Sequence, residues 1–277
     1  MFEPAMTVES GRTADGEAVQ LRRRWSVEQP KAAMLLVHGI GEHSGRYLHV
    51  GQYFGSLGYD VAAFDNRGFG ESGGRRGHVN SFGLYLDDIE DRLEERRSLN
   101  VPVVLFGHSL GGLMVATYLV SRSRPKPDLA VLSSPALAAE VPRWQRVAAP
   151  VLGRVSPRKF IKSEIDGVGL SRDVAVQEAY VADPLLVAGA TAKMGHEVFG
   201  AMKRTSAKLH RLSVPTYVLH GDEDPIVPQT ASLPLRGLGG VTYRSWPGLR
   251  HECLNEPEQD QVMAEIDEWL VGRLAAL

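Results

Sequence analysis

A single cysteine, Cys253, occurs in the 277 residues, so neither an intramolecular disulfide nor a multi-cysteine metal site can form. That scarcity suits a reducing compartment. Long apolar runs are missing as well: none approaches the roughly 18 residues that a membrane-spanning helix needs. The opening Met-Phe-Glu-Pro-Ala-Met has neither the basic head nor the apolar core of a secretory leader, and a cytoplasmic location is the expectation. Excess charge is absent too. With 31 Lys and Arg against 33 Asp and Glu, the formal net charge is −2, which gives no basis for nucleic acid as a partner. No internal repeat or low-complexity tract interrupts the chain. What is present is an ordinary globular composition, 43% hydrophobic and 23% charged, in a chain long enough to bury a substantial core.

Short apolar runs alternate with helical patterns. Ala32–Val37, Tyr59–Phe64, Val103–Phe106, Leu129–Leu132, Thr216–Leu219 and Val241–Trp246 read as strands, most of them apolar on both faces. Thr7–Glu9 and Val19–Trp25 are weaker candidates, placed as an edge hairpin. Ser44 is a candidate cap for a helix carrying Tyr47, Val50, Phe54 and Leu57. A second helix is expected from about Ser81, and a last one opened by Asn255-Glu-Pro-Glu with Val262, Ile266, Trp269 and Leu270 as its buried stripe. The pattern implies an α/β fold with a mostly parallel, doubly wound sheet. The stretch from Leu132 to Thr216 is too long for one crossover. It reads as an inserted helical cap at 136–210, dividing a core at 1–135 and 211–277.

The chemistry concentrates at Gly107-His-Ser-Leu-Gly111, which follows an apolar strand and precedes the helical Gly112–Val120. Strand, G-x-S-x-G, helix is the layout of a nucleophile elbow, where the serine sits on a strained turn facing the positive end of the next helix. The pentapeptide by itself is weak; its setting carries the weight. An activated serine needs a base, and the base needs an orienting acid; on such a scaffold the order is Ser, acid, His. The acid belongs in a loop after a late strand, and Gly221-Asp-Glu-Asp-Pro-Ile-Val-Pro228 is such a loop. Beyond it stands a single histidine of nine, His251. Asp222, Glu223 and Asp224 all compete for the acid; Asp224, held by Pro225, is favoured. Backbone N–H groups of Leu110 and Ile40 are the expected oxyanion donors. Gly68–Gly73 matches G-x-G-x-x-G, but no helix opens inside it, so nucleotide binding is not expected. His38 and His43 lack a third ligand nearby, and hydrogen bonding within their loop is expected instead of a metal.

The blocks His38-Gly-Ile-Gly-Glu-His-Ser-Gly-Arg-Tyr47, Asp65-Asn-Arg-Gly-Phe-Gly-Glu-Ser-Gly73, Gly107-His-Ser-Leu-Gly-Gly112, His220-Gly-Asp-Glu-Asp224 and Gly248-Leu-Arg-His-Glu252 resemble, in order, the signatures of monoacylglycerol lipases of the α/β-hydrolase superfamily. The segment from Leu170 to Leu185 resembles part of that family's cap. The resemblance implies Ser109 as nucleophile, Asp224 as acid, His251 as base, and Ile40 and Leu110 as oxyanion donors. It implies no cofactor or metal, and a small lipid ester as substrate. Departures are Leu110, where the family usually has Met, and Asn66 and Phe69, where it usually has His. A general carboxylesterase, a lysophospholipase or a peptidase of the same fold are the alternatives. Val141, Trp144, Val147, Ala148, Val151 and Val155 form a roughly helical apolar stripe. Arg143, Arg146, Arg154, Arg158, Lys159 and Lys162 lie among and after them. That mixture suits peripheral docking on an anionic lipid surface, and equally an ordinary cap helix with a solvated basic face.

Overall fold

Short runs apolar on both faces suit strands buried in the middle of a sheet, and the protein, seen in a computed structural model, is arranged around them. The structure describes residues 4–139, 151–162 and 166–277. In chain order β3 (Ala32–Val37), β4 (Tyr59–Phe64), β5 (Val103–His108), β6 (Leu129–Ser133), β9 (Thr216–Gly221) and β10 (Val241–Trp246) run parallel. All of β3 and β5 is buried. An antiparallel hairpin, β1 (Met6–Arg12) and β2 (Val19–Trp25), extends the edge by pairing with β4, giving the order β1-β2-β4-β3-β5-β6-β9-β10.

Helices cover both faces. On one lie α1 (Leu48–Ser56) and the last helix, α7 (Gln259–Leu274), which bury Val50 and Phe54 with Val262, Ile266 and Leu270 against Trp25. On the other lie α2 (Gly83–Arg97) and α3 (Leu110–Leu119), which bury Ile89 and Leu93 with Leu113 and Val115. Between β6 and β9 the described residues form α4 (Gly167–Leu170), α5 (Val174–Ala182) and α6 (Ala192–Ser206). They also form a two-stranded antiparallel sheet of β7 (Phe160–Lys162) and β8 (Gly189–Thr191). This strand pair is not visible in the sequence pattern, because three residues are too few to show a period. A hydrogen bond of 2.7 Å between Thr117 and Thr205 ties α6 to α3.

Local expectations differ at some ends. β1 runs to Met6–Arg12, longer than Thr7–Glu9, because pairing with β2 orders the polar flanks. Ser44 does not cap α1: its hydroxyl donates to the buried Asp65 carboxylate. A 3₁₀ turn at Ser44–Tyr47, capped by the His43 ring, precedes the helix. Cys253–Asn255 is likewise a 3₁₀ turn, and α7 begins only at Gln259. Of the proposed apolar stripe, Val141, Trp144, Val147 and Ala148, with Arg143 and Arg146, lie outside the described residues; Val151 and Val155 are 58% and 79% exposed.

The site depends on one close approach. β5 hands over to α3 at Gly107 and Gly111, and a Cβ on Gly111 would stand 2.1 Å from the Val37 carbonyl and 2.6 Å from that of His38. Gly111→Ala therefore forces β3 and α3 apart and should cost about 3 kcal/mol or more. Gly239→Ala, with nothing within 4 Å, should stay within about 0.5 kcal/mol of the native protein. Urea midpoints of the two variants check this.

Candidate active site

Ser109 joins β5 to α3 with φ 53° and ψ −116°, a conformation that side chains other than glycine rarely adopt. Its surroundings hold it there. Its N–H donates to Ser133 O at 2.9 Å, and its carbonyl accepts from Leu113 and Ala136, each at 3.0 Å. A Cβ on Gly39 would stand 3.1 Å from the Cβ of Ser109, so the loop after β3 lies against the serine. Ile40 follows on that loop and lines the same pocket as Ser109. Leu110 opens α3, where an N–H has no partner within its own helix.

His251 comes to this place on the turn after β10. Gly221, at the end of β9, lets that turn pack close: a Cβ there would stand 2.2 Å from Leu249 O and 2.4 Å from Arg250 O. Ser134, itself at φ 42°, donates its hydroxyl to the His251 carbonyl at 2.8 Å. Sequence reasoning missed Ser134, whose role rests on a contact 117 residues away.

Of the three carboxylates on the loop after β9, Asp224 is buried and its Oδ2 meets Nδ1 of His251 at 2.7 Å. Asp222 is exposed and accepts from Gly248 N at 2.7 Å instead; Glu223 is exposed. Burial alone would raise the Asp224 carboxyl. The charge of His251 and the bonds from His220 and His251 overcome it and hold the group well below the usual carboxylate range. For His251, burial disfavours the charged ring, but the adjacent Asp224 carboxylate outweighs it and raises the pKa above the ordinary histidine value. Among the described residues no hydrogen bond joins Ser109 to His251, although both line one pocket. Contacts of this kind are often long before substrate binds. The ring of His108 lies 4.8 Å from that of His251, tilted by 55°.

His38 and His43 take structural partners. His38 Nδ1 donates to Gly39 O and Nε2 accepts from Asn66 N, both at 2.8 Å; burial lowers its pKa to about 4. His43 reaches outside its loop, to Asp183 at 2.7 Å. No group of three or more metal-ligating side chains is gathered among the described residues. The Gly68–Gly73 stretch is a turn, with no helix opening in it.

The polar end of the pocket was not foreseen. Glu42 Oε1 accepts from Gly39 N at 2.5 Å and from the Tyr47 hydroxyl at 2.8 Å. Arg46 stands between two carboxylates, 3.4 Å from Glu42 and 2.6 Å from Glu252, with Tyr180 of α5 against its guanidinium at 5.1 Å. Leu170 and Ile226 supply apolar walls.

Comparison with known proteins decides the family. A family model described as serine aminopeptidase, S33, matches residues 28–258. The chain belongs to that family of α/β hydrolases. A monoacylglycerol lipase of Mycolicibacterium smegmatis is 34% identical over 253 residues, 88% of this chain and 90% of its own length. A phospholipase of Bacillus subtilis is 29% identical over 246 residues, 86% of this chain and 94% of its own. The crystal structure of Paleococcus ferrophilus monoacylglycerol lipase superposes with a TM-score of 0.83 at 35% identity, covering 91% of this chain and 98% of the other. Within the family, this chain is monoacylglycerol lipase-like.

Burial first, and the Glu252 charge second, push the Glu42 carboxyl up from 4.5 to about 7, against the pull of Arg46. Its folded value lies above its unfolded one. The stability it allows is therefore complete at acid pH and is lost as pH rises through about 7. Glu42→Gln keeps an oxygen for Gly39 N and Tyr47 but cannot ionise. Relative to the native protein it should gain up to about 3 kcal/mol as pH rises over that interval. Urea unfolding across a pH series checks this, and parallel stability curves would refute it.

Proposed function

We propose that this chain is a serine carboxylic ester hydrolase acting on monoacylglycerols, releasing fatty acid and glycerol. The observation that carries the reading is the buried Asp224–His251 pair sharing a pocket with Ser109 on its strained turn. Ser109 Oγ attacks the ester carbonyl while Nε2 of His251 removes its proton. Asp224 holds the other ring nitrogen and offsets the imidazolium charge. The developing oxyanion is met by the N–H groups of Ile40 and Leu110. The alcohol leaves with the proton, and water cleaves the acyl-enzyme by the same route. The segment 136–210 acts as a cap, whose Leu170 and Tyr180 complete the pocket wall.

The relatives named monoacylglycerol lipase support the substrate class, and the mixed pocket supports it physically. Leu170 and Ile226 suit an acyl chain, while Glu42 and Glu252 give the pocket a polar lining for a polyol. An aminopeptidase would need free carboxylates for a charged amino terminus. Here both are engaged by Arg46, which favours the ester.

Ser109→Ala should lower ester hydrolysis by several orders of magnitude with folding intact, and a fluorophosphonate probe should label Ser109 by mass spectrometry. Asp224→Asn should lower turnover on the order of 10⁴-fold, whereas Asp222→Asn and Glu223→Gln should lose little. Rates on glycerol monoesters should exceed those on simple alkyl esters and aminoacyl amides. A label elsewhere, or an active Asp224→Asn beside a crippled Asp222→Asn, breaks the assignment.

We further propose that the outer side of the cap rests on anionic lipid while substrate is collected. Val155 and Val181 are each 79% exposed, and Phe160 and Ile161 of β7 are 44% and 49% exposed. Arg154, Arg158, Lys159 and Lys162 accompany them. Apolar side chains that enter the interface beside cations that meet headgroups favour such a surface. The protein should sediment with anionic vesicles at low salt and be released at high salt. Charge reversal at Arg158 and Lys162 should abolish the effect; binding indifferent to both would end this reading.

A further inference from the structure

Asp224 does not serve His251 alone. Its Oδ2 also lies 3.1 Å from Nε2 of His220, a fully buried residue of β9. The same Nε2 stands 2.8 Å from the Val227 carbonyl. Both neighbours only accept, so Nε2 carries the proton and shares it between them. On the other side of the ring, Nδ1 lies 2.7 Å from Ser232 Oγ, which lies 2.8 Å from the Tyr243 hydroxyl on β10. With Nε2–H donating, Nδ1 is left to accept; the single Ser232 hydroxyl proton is shared between Nδ1 and the Gln229 carbonyl at 3.1 Å, and Ser232 Oγ accepts from Tyr243. A line of hydrogen bonds thus runs from Tyr243 through Ser232 and His220 to the oxygen that His251 uses. Anchoring Asp224 does not require it. Oδ1 is already held by the N–H groups of Ile226 and Val227, each at 2.9 Å.

We propose that His220 is a positioning residue that tunes His251 through Asp224, donating to the shared oxygen and so weakening its hold on the His251 imidazolium. A carboxylate oxygen that already accepts from one donor accepts less strongly from a second. A hydroxyl donating to Nδ1 draws density from the ring and makes Nε2–H the better donor. Ser232 therefore strengthens the effect. The proposal rests on His251 being the base.

The other groups facing His251 are His108 from β5, Glu252 beside it in the chain and Glu42 from the loop after β3. His108 is itself acted on by His251, Asp224, His220 and Arg46, the last from the 3₁₀ turn before α1. None of these is altered in the variants below.

The test is the pH dependence of kcat/KM on a glycerol monoester for the native protein, His220→Met, His220→Gln and Ser232→Ala. His220→Met removes the donor while filling much of its volume. It should move the acidic midpoint up by roughly half a unit or more. His220→Gln offers an amide N–H in the same place and should stay near the native midpoint. Ser232→Ala leaves the ring in position and should move the midpoint the same way by less; it also carries the test if the methionine variant fails to fold. A midpoint that stays or falls in both His220→Met and Ser232→Ala overturns the proposal, whatever happens to Tm. So does a glutamine variant shifted as far as the methionine one. His251→Ala separates the two layers: if it remains active, the base assignment fails, whereas lost activity with unmoved midpoints defeats only the tuning.

Discussion

Taking a carboxylate out of water is tolerable only when its lone pairs find donors, and Asp224 meets that condition at both oxygens. Two backbone N–H groups hold Oδ1, and two imidazole nitrogens reach Oδ2. Those donors come from β9, from the loop that follows it and from the turn after β10. The carboxylate therefore fixes three chain segments relative to one another. Gly221 allows the last of them to lie close enough. Without the carboxylate, His251 would be a buried ring with one nitrogen unpaired and no fixed tautomer.

A second constraint stands opposite the first. Ser109 keeps its unfavourable dihedrals because Ser133, Leu113 and Ala136 bond its backbone, and because Gly107 and Gly111 let strand and helix meet without side chains between. Ser134, one residue past β6, is strained as well and reaches the His251 carbonyl. The β5–β6 end of the sheet thus carries the serine on one strand and braces the histidine from the next. Strain of this kind survives only where neighbours over-determine it.

Much of this was legible in the residues. Apolar runs announced β3 to β6 and β9, since buried parallel strands admit little else, whereas β10 is a half-exposed edge strand; chain order pointed to His251 and the loop holding Asp224. What stayed hidden depends on partners distant in sequence. Ser44 looks like a helix cap, yet Asp65, 21 residues on, takes its hydroxyl. β7 and β8 are recognisable only as a pair. Ser134 belongs to no motif, and although Glu42, Arg46, His220 and Glu252 stand inside the signature blocks, what each does depends on a contact that only the folded chain creates.

The pocket also shows how one fold gives two buried carboxylates opposite characters. Asp224 faces imidazoles and N–H donors, so its charged form is favoured despite burial. Glu42 faces Glu252 across a single shared arginine, and burial wins: its proton is retained to about pH 7. Separation of this sort is what acid–base chemistry at one site requires. It leaves Asp224 charged beside the ring proposed as the base. It also leaves the polar end of the pocket close to neutral at pH 7, where a charged alcohol portion would gain little and an uncharged polyol would lose nothing. The neutral glycerol of the proposed reaction fits that balance.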